Sequence, residues 1–199
     1  MAEIGKKIFS ESEDISNNFV FNFYDSKVAK ELIKREGTSE AIKYFAANCD
    51  GLTDYSYWFL LSTCWVSYSG WYELENWKRL FSSGRPKREK SIMKPSEIKK
   101  LKQLPFEIKC YRAHREGEKD WISYTTDVNV AVKMALSRGT HEIKEYRIKK
   151  NNVLAYFTRR GESEIILLDK SKAEYIKTYE LKRQSEKMQG VAEFATPNK

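Results

Sequence analysis

The hydrophobic pattern of this sequence changes its period once, near Pro105, and this change limits the possible folds more than any other feature. Before Pro105, apolar residues recur at the three- and four-residue spacings of helices, as in Trp58, Leu61 and Trp65. After it, short β-branched and aromatic runs alternate with turn residues. The 199 residues are enough for a domain of ordinary size with a helical extension. The sequence therefore predicts an α+β protein whose N-terminal half is helical.

The first region, residues 1–104, is predicted to be helical and rich in aromatic side chains. Ser26 has the short polar side chain of a helix N-cap, and a second helix is predicted to begin near Ser39. Aromatic residues at helical spacing across 54–81 predict a buried helical segment. Aromatic residues alternate with other types in 19–23, which favours a short strand or an aromatic anchor.

Charge favours an anionic partner. The formal net charge is +8, which suits a nucleotide, a nucleic acid or an acidic protein surface. Ten Lys/Arg residues and two Glu residues lie between Lys78 and Lys102, a run that contains a turn at 82–86. This run is either a solvated surface in which Ser96 caps a short helix, or a patch that faces an anion.

Cysteine and histidine usage argues against a disulfide framework and against a zinc cluster. The cysteines are odd in number, far apart and without Cys-x-x-Cys spacing: Cys49, Cys64 and Cys110. Two histidines, His114 and His141, do not make a metal site by themselves. We therefore expect a reducing, cytoplasmic environment and no metal.

One stretch resembles a membrane span in length alone. Residues 55–72 form a stretch of 18 residues without a charged side chain, and this length is near the lower limit for a spanning helix. The stretch also carries several serines, several tyrosines and a glycine, whereas a spanning helix is normally more aliphatic. The sequence therefore predicts burial inside the protein and no membrane partner. No signal peptide is visible at the N-terminus.

The second region, residues 105–182, is predicted to form a β core, and 183–199 a flexible tail. Asp127 is the expected N-cap and Gly139 the expected end of the single helix in this region. Short apolar runs predict strands near 106–111, at 121–124, and near 142–148, 153–157, 164–168 and 173–181.

Three short motifs place polar side chains on or beside these strands. They are Tyr111-Arg112-Ala113, the run from Trp121 to Thr125, and Glu162-Ser163-Glu164 before the apolar run 165–168. A period of two would put both glutamates on one face of an extended chain. No Gly-x-Gly-x-x-Gly motif and no phosphate-loop lysine motif is present.

This ordered set resembles the Arg–Ser–Glu class of mono-ADP-ribosyltransferases over residues 106–169. The resemblance implies a fold in which the helical N-terminal half packs on an ADP-ribosyltransferase-like split β-sheet core. It also implies NAD as the substrate, cleavage of the nicotinamide–ribose bond, and transfer of ADP-ribose to a macromolecular target. That target is expected to be a protein, and a nucleic acid is possible.

By this resemblance Glu164 is the catalytic glutamate that stabilises positive charge on the ribose. Glu162 matches the position that orients or deprotonates an acceptor arginine. Arg112 matches the arginine that grips the phosphates and ribose of NAD, for which a permanently charged two-pronged donor is suited. The competing interpretation of all three is ordinary surface charge.

The remaining matched residues shape the pocket. Ser123 and Thr125 match the hydroxyl pair that braces the catalytic carboxylate, although strand hydroxyls also pair simply across a sheet. Tyr111 and Trp121 are either core residues or ring surfaces for nicotinamide. At two of the matched positions the residue type differs from the family pattern; these residues are Tyr124 and Ala113.

The sequence leaves three functions open. The leading hypothesis is a mono-ADP-ribosyltransferase that modifies protein arginine, because Glu162 is present. The same site with water as acceptor is an NAD glycohydrolase. A non-catalytic basic module that binds nucleic acid is the alternative from another class.

The compact chain favours a phage or bacterial protein that modifies its host and acts in the host cytoplasm. The oligomeric state is not predicted.

Overall fold

The computed structural model describes residues 14–68, 70 and 73–181, and the chain divides into two compact units between Gln103 and Leu104. Within the described residues, the first unit contains six α-helices: α1 Phe23–Ile33, α2 Ser39–Asn48, α3 Asp54–Ser67, α4 Leu74–Phe81, α5 Arg88–Ser91 and α6 Pro95–Gln103. The second contains one α-helix and an antiparallel sheet. The predicted α+β class is therefore confirmed. The predicted tail, 183–199, lies outside the described residues.

At the start of the first unit the predicted N-cap is wrong, and of the two alternatives predicted for 19–23 the strand is excluded. The N-cap of α1 is Asn22 and not Ser26, because the Asn22 side chain accepts hydrogen bonds from the backbone N–H groups of Tyr24 and Asp25. Residues 19–23 form no strand, and Phe23 is the first residue of α1.

Helix α3 forms the centre of the first unit's core. Thr53 caps it by accepting a hydrogen bond from the Ser56 N–H, and Trp58 and Leu61 are fully buried. The Trp58 Nε1–H donates to the carbonyl of Pro86 at 2.9 Å, so the polar tip of this buried ring is satisfied. Within the part of the chain that the structure describes, no helix has the length and apolar character needed to cross a bilayer.

Ser96 does not cap a helix, in contrast to the prediction. Helix α6 begins one residue earlier, at Pro95, and the Ser96 N–H and hydroxyl both donate to the Asp14 carboxylate. Glu97 stabilises this end of α6, because its buried carboxylate accepts a hydrogen bond from the backbone N–H of Lys94 at 2.9 Å.

The second unit is a six-stranded antiparallel sheet with the order β4-β5-β2-β1-β3-β6. The strands are β1 Glu107–Arg112, β2 Ser123–Thr125, β3 Glu142–Lys149, β4 Ala155–Phe157, β5 Glu164–Ile166 and β6 Ala173–Glu180. All six predicted strands are present, but β2, β4 and β5 are shorter than predicted, and β2 ends at Thr125 and not at Tyr124.

The sheet is divided into two parts by its central pairing. Strands β1 and β3 pair along all six residues of β1, from Glu107 to Arg112. Strands β1 and β2 pair only at Tyr111 and Thr125. The three strands β4-β5-β2 and the three strands β1-β3-β6 therefore meet at a single residue pair. Beyond that pair the two parts have no shared ladder.

Helix α7, Val128–Ser137, packs on this sheet. As predicted, Asp127 caps it, accepting a hydrogen bond from the Asn129 N–H, and Gly139 follows its end with a φ of 67°. Its buried face consists of Ala131, Val132 and Ala135, which form an apolar cluster with residues of β1 and β3. Three small or β-branched side chains allow the helix to approach the sheet closely.

Candidate active site

A cleft lies at the single β1–β2 contact. Its lining includes these residues: Tyr111, Arg112, Ala113, Ser123, Tyr124, Thr125, Ala131, Met134, Arg138, Glu162 and Glu164. Six of the seven residues that the sequence predicted for the site are among them, drawn from β1, β2 and the start of β5. The volume of the cleft is about 40 Å³. That volume holds about three water molecules, so a larger ligand must occupy mainly the part open to solvent.

Glu164 is held by its neighbour in the sheet. It is the first residue of β5, where it pairs with Thr125 of β2. The Ser123 hydroxyl donates to Glu164 Oε1 at 2.5 Å. A hydroxyl that donates to a carboxylate oxygen fixes the rotamer of the carboxylate. The predicted bracing of this glutamate by a serine is therefore present as geometry.

The two glutamates line the same cleft for a different reason from the one predicted. Strand β5 begins at Glu164, and Ser163 has a φ of 46°, so the chain between the acids is not extended. This left-handed conformation is uncommon for serine and is a feature found at functional sites. The Thr125 hydroxyl donates to the Glu162 carbonyl at 2.5 Å, and the Thr126 N–H donates to the Ser163 carbonyl at 3.0 Å. These two bonds hold the turn.

The loop before the acids is short. Gly161, with a φ of 72°, closes a turn in which its N–H donates to the Thr158 carbonyl at 3.0 Å. The Arg160 Nε lies 3.8 Å from Glu162 Oε1, and both side chains are about one-third exposed. A long ion pair at this exposure is weak, so the Glu162 carboxylate remains accessible to another cation.

Arg112 is nine-tenths buried and its guanidinium is oriented by three hydrogen bonds. Nε and Nη2 donate to the two carboxylate oxygens of Glu118, at 3.2 and 2.6 Å. Nη1 donates to the Ser123 carbonyl at 2.6 Å. Sequence reasoning missed Glu118, which lies in the loop between β1 and β2. An acid six residues after an arginine carries no periodic signal, because the loop that joins them is irregular.

The partners of Glu118 determine its charge. Burial opposes its ionisation, but hydrogen bonds from His114 and Arg112 outweigh burial and lower the pKa of Glu118 to about 2. Burial lowers the pKa of His114, against the opposing hydrogen bond to Glu118. A neutral His114 therefore donates from Nδ1 to Glu118, at 3.0 Å, and accepts at Nε2 from the Tyr146 hydroxyl, at 2.8 Å.

The two predicted aromatic residues separate in the structure. Tyr111 lines the cleft. Trp121 does not occur among the described residues of the lining. Its ring lies edge-on to His114 at 4.3 Å, and its Nε1–H donates to the Tyr124 hydroxyl at 2.8 Å. Trp121 thus packs against His114 and Tyr124, and Tyr111 is the one of the two rings that lines the cleft.

Both departures from the family pattern have a packing role. The Tyr124 ring is buried and lies edge-on to Tyr146 at 5.3 Å. Ala113 is buried beside Ala131 in the apolar cluster under α7. Neither side chain adds a charge to the cleft.

Arg138 lines the cleft and was also missed by the sequence reasoning. It is the C-cap residue of α7, and its Nη1 donates to the Ala113 carbonyl. No carboxylate among the described residues forms an ion pair with it. Burial, with the nearby charges of Arg112 and Arg115, lowers the pKa of Arg138 to about 10, so the guanidinium stays charged at neutral pH. An arginine directly before the glycine that ends a helix was the available signal.

Other chemistry is not assembled in the described residues. No group of three or more His, Cys, Asp or Glu residues there could hold a metal ion. All three cysteines are free and buried, and burial raises the pKa of Cys64 to about 12.

The chain matches no protein-family model, no curated protein and no solved structure. Any assignment of function to the cleft therefore depends on the residues and the geometry described above.

Proposed function

We propose that this protein is a mono-ADP-ribosyltransferase with an ADP-ribosyltransferase-like split-sheet fold. It uses NAD as its substrate and transfers ADP-ribose to a macromolecule, with protein arginine as the favoured acceptor. One observation carries the proposal: Arg112, Ser123 and Glu164 converge from three strands on one cleft, and Ser123 donates to Glu164 at 2.5 Å.

The reduced pairing between β1 and β2 supports the fold assignment. A sheet whose halves diverge after a single residue pair leaves an opening between them without breaking either half. The cleft residues Tyr111 and Thr125 are the pair at which the halves meet. A site at this point can therefore take side chains from both halves.

The cations of the cleft suit a diphosphate. Arg112 has five N–H donors, of which three are used within the protein. Its two remaining donors, one on Nη1 and one on Nη2, are available to phosphate oxygens. Arg138 adds a second permanent positive charge in the same cleft. NAD carries two phosphates, and these two arginines are the residues that would hold them.

The acids of the cleft suit cleavage of a ribosyl bond. Loss of nicotinamide leaves an electron-poor, oxocarbenium-like ribose carbon in the transition state. Ser123 orients the Glu164 carboxylate, which stabilises this positive charge without moving. Tyr111 offers a ring surface at the same cleft.

Glu162 supports arginine as the acceptor. It lines the cleft together with Glu164, yet its side chain is about one-third exposed and weakly paired. A carboxylate in that position can bind a guanidinium that approaches from solvent and remove its proton as the new bond forms. Water in place of the guanidinium gives an NAD glycohydrolase, which needs Glu164 but not Glu162.

The test uses purified protein, NAD labelled in its adenylate half, and a cell lysate. The proposal expects nicotinamide release and labelled protein bands, both lost in Glu164→Gln with the fold intact by circular dichroism. Release without labelled bands identifies a glycohydrolase. No release by the wild-type protein, combined with steeply salt-dependent binding to DNA or RNA, identifies a basic binding module and overturns the proposal.

A further inference from the structure

Glu118 makes an unusual set of contacts for a loop residue. Both of its oxygens are bound by Arg112, and Oε2 also accepts from His114 Nδ1 at 3.0 Å. The side chains of Glu118 and Arg112 are 12% and 9% exposed, so this is a largely buried, two-pronged ion pair. Three elements hold it: strand β1, the β1–β2 loop and, through Tyr146 and His114, strand β3.

The arrangement leaves part of the Arg112 guanidinium available. Glu118 occupies the side of the guanidinium formed by Nε and Nη2, and the Ser123 carbonyl takes one N–H of Nη1. Arg112 lines the cleft, whereas Glu118 is not among the described lining residues. The cleft is therefore lined by Arg112 and not by its carboxylate partner. Two N–H groups, one on Nη1 and one on Nη2, remain for a ligand.

We propose that Glu118 is the positioning residue for Arg112: it turns the remaining N–H groups of the guanidinium toward the diphosphate of the substrate. This inference rests on the proposed function, and it adds a residue that acts on the substrate through Arg112. His114 supports it by holding Glu118 Oε2, and Tyr146 holds His114 in turn. Without Glu118 the arginine keeps its charge but loses its fixed direction.

A purely structural role predicts different kinetics. Arg112 also links β1 to β2 through the Ser123 carbonyl, so on this account loss of Glu118 only loosens the sheet. A loosened protein contains fewer active molecules, which lowers the apparent kcat and leaves KM unchanged. A misdirected phosphate donor weakens substrate and transition state alike, which raises KM and leaves kcat unchanged.

The decisive variant is Glu118→Gln, because glutamine has the same shape and no charge. We expect the KM for NAD to rise about tenfold to a hundredfold, the usual effect of removing a partner that orients a binding group, with kcat changed less than about twofold. Glu116→Gln is the matched control, since Glu116 lies exposed in the same loop and makes no described contact with Arg112. A lower kcat at unchanged KM overturns the proposal.

A binding experiment separates this inference from the proposed reaction. Titration calorimetry with ADP-ribose measures the diphosphate contact without any chemistry. We expect Glu118→Gln and Arg112→Ala each to weaken binding, and the double variant to bind no more weakly than Arg112→Ala alone. That result supports positioning even in a protein that does not cleave NAD. Equal ADP-ribose affinity of wild type and Glu118→Gln, or additive losses in the double variant, overturns it.

Discussion

Asp25 in the helical unit and Glu118 in the sheet unit are both largely buried carboxylates, but they hold different kinds of partner. Asp25 accepts the backbone N–H and the hydroxyl of Thr53, at 3.1 and 2.5 Å, at the start of α3. Glu118 instead pairs with a guanidinium and an imidazole beside a cleft. In the first unit a buried charge secures a helix end, and in the second it controls other ionisable groups.

This difference teaches how to separate structural from functional charge. A carboxylate that satisfies backbone donors contributes to stability and has no reason to affect a ligand. Coupled ionisable groups at a cleft are typical of functional sites, although structural ion pairs also occur. The following experiments ask whether substitutions in the two units divide in this way, in order of decreasing expected effect.

Glu162→Gln gives the largest expected effect. Transfer to a small guanidino compound such as agmatine should fall about a thousandfold, because no carboxylate remains to take the proton from the attacking guanidinium. Hydrolysis of NAD, with release of nicotinamide, should continue. Both products are measured in the same reaction by chromatography. Glu142→Gln, an exposed acid on β3, is the control and should change neither. A parallel loss of both reactions would show that Glu162 does not act on the acceptor.

Acid should abolish the contribution of Glu118 to stability. Its pKa is lowered to about 2, so its stabilising effect is complete above the unfolded value near 4.3 and is lost as pH falls to about 2. At neutral pH we expect Glu118→Gln to be about 3 kcal/mol less stable than wild type. Urea unfolding at a series of pH values should show this gap closing between about pH 4.5 and 2. A gap independent of pH contradicts the assignment.

Asp25→Ala tests the helical unit. It leaves the N–H and hydroxyl of Thr53 without their partner, and we expect a loss of about 2 kcal/mol in the free energy of unfolding. The KM for NAD of the folded protein should not change. Glu75→Ala, an exposed acid in α4, should alter stability by no more than about 0.5 kcal/mol. A change in KM with Asp25→Ala would break the distinction between the units.

Arg138→Gln should give the smallest effect. Loss of one of two cations in the cleft should raise the KM for NAD about tenfold, equivalent to about 1.4 kcal/mol, with little change in kcat. Steady-state kinetics of nicotinamide release measure both constants. Arg147→Gln removes the same charge from an exposed position on β3 and serves as the control. Equal KM values for the two variants would exclude Arg138 from substrate binding.

Local patterns were enough to predict most of the secondary structure. The period of two and the turn residues located all six strands, and Asp127 and Gly139 marked both ends of α7. The prediction failed at Ser26 and, for the strand alternative, in 19–23. In both places Asn22 competed successfully, because its side chain satisfies two helix N–H groups. The residue whose side chain supplies the cap thus decides where the helix begins.

The order of polar residues along the chain determined which groups could meet: Arg112, Ser123 and Glu164 lie at strand ends, and Glu162 lies two residues before β5. Only the tertiary structure decided that they surround one cleft, because the two halves of the sheet meet there at a single β1–β2 residue pair. It also brought in Glu118 and Arg138, which no sequence period connects to the site. Contacts made by an irregular loop and a helix end depend on where the packed sheet holds them, and that position is a property of the whole second unit.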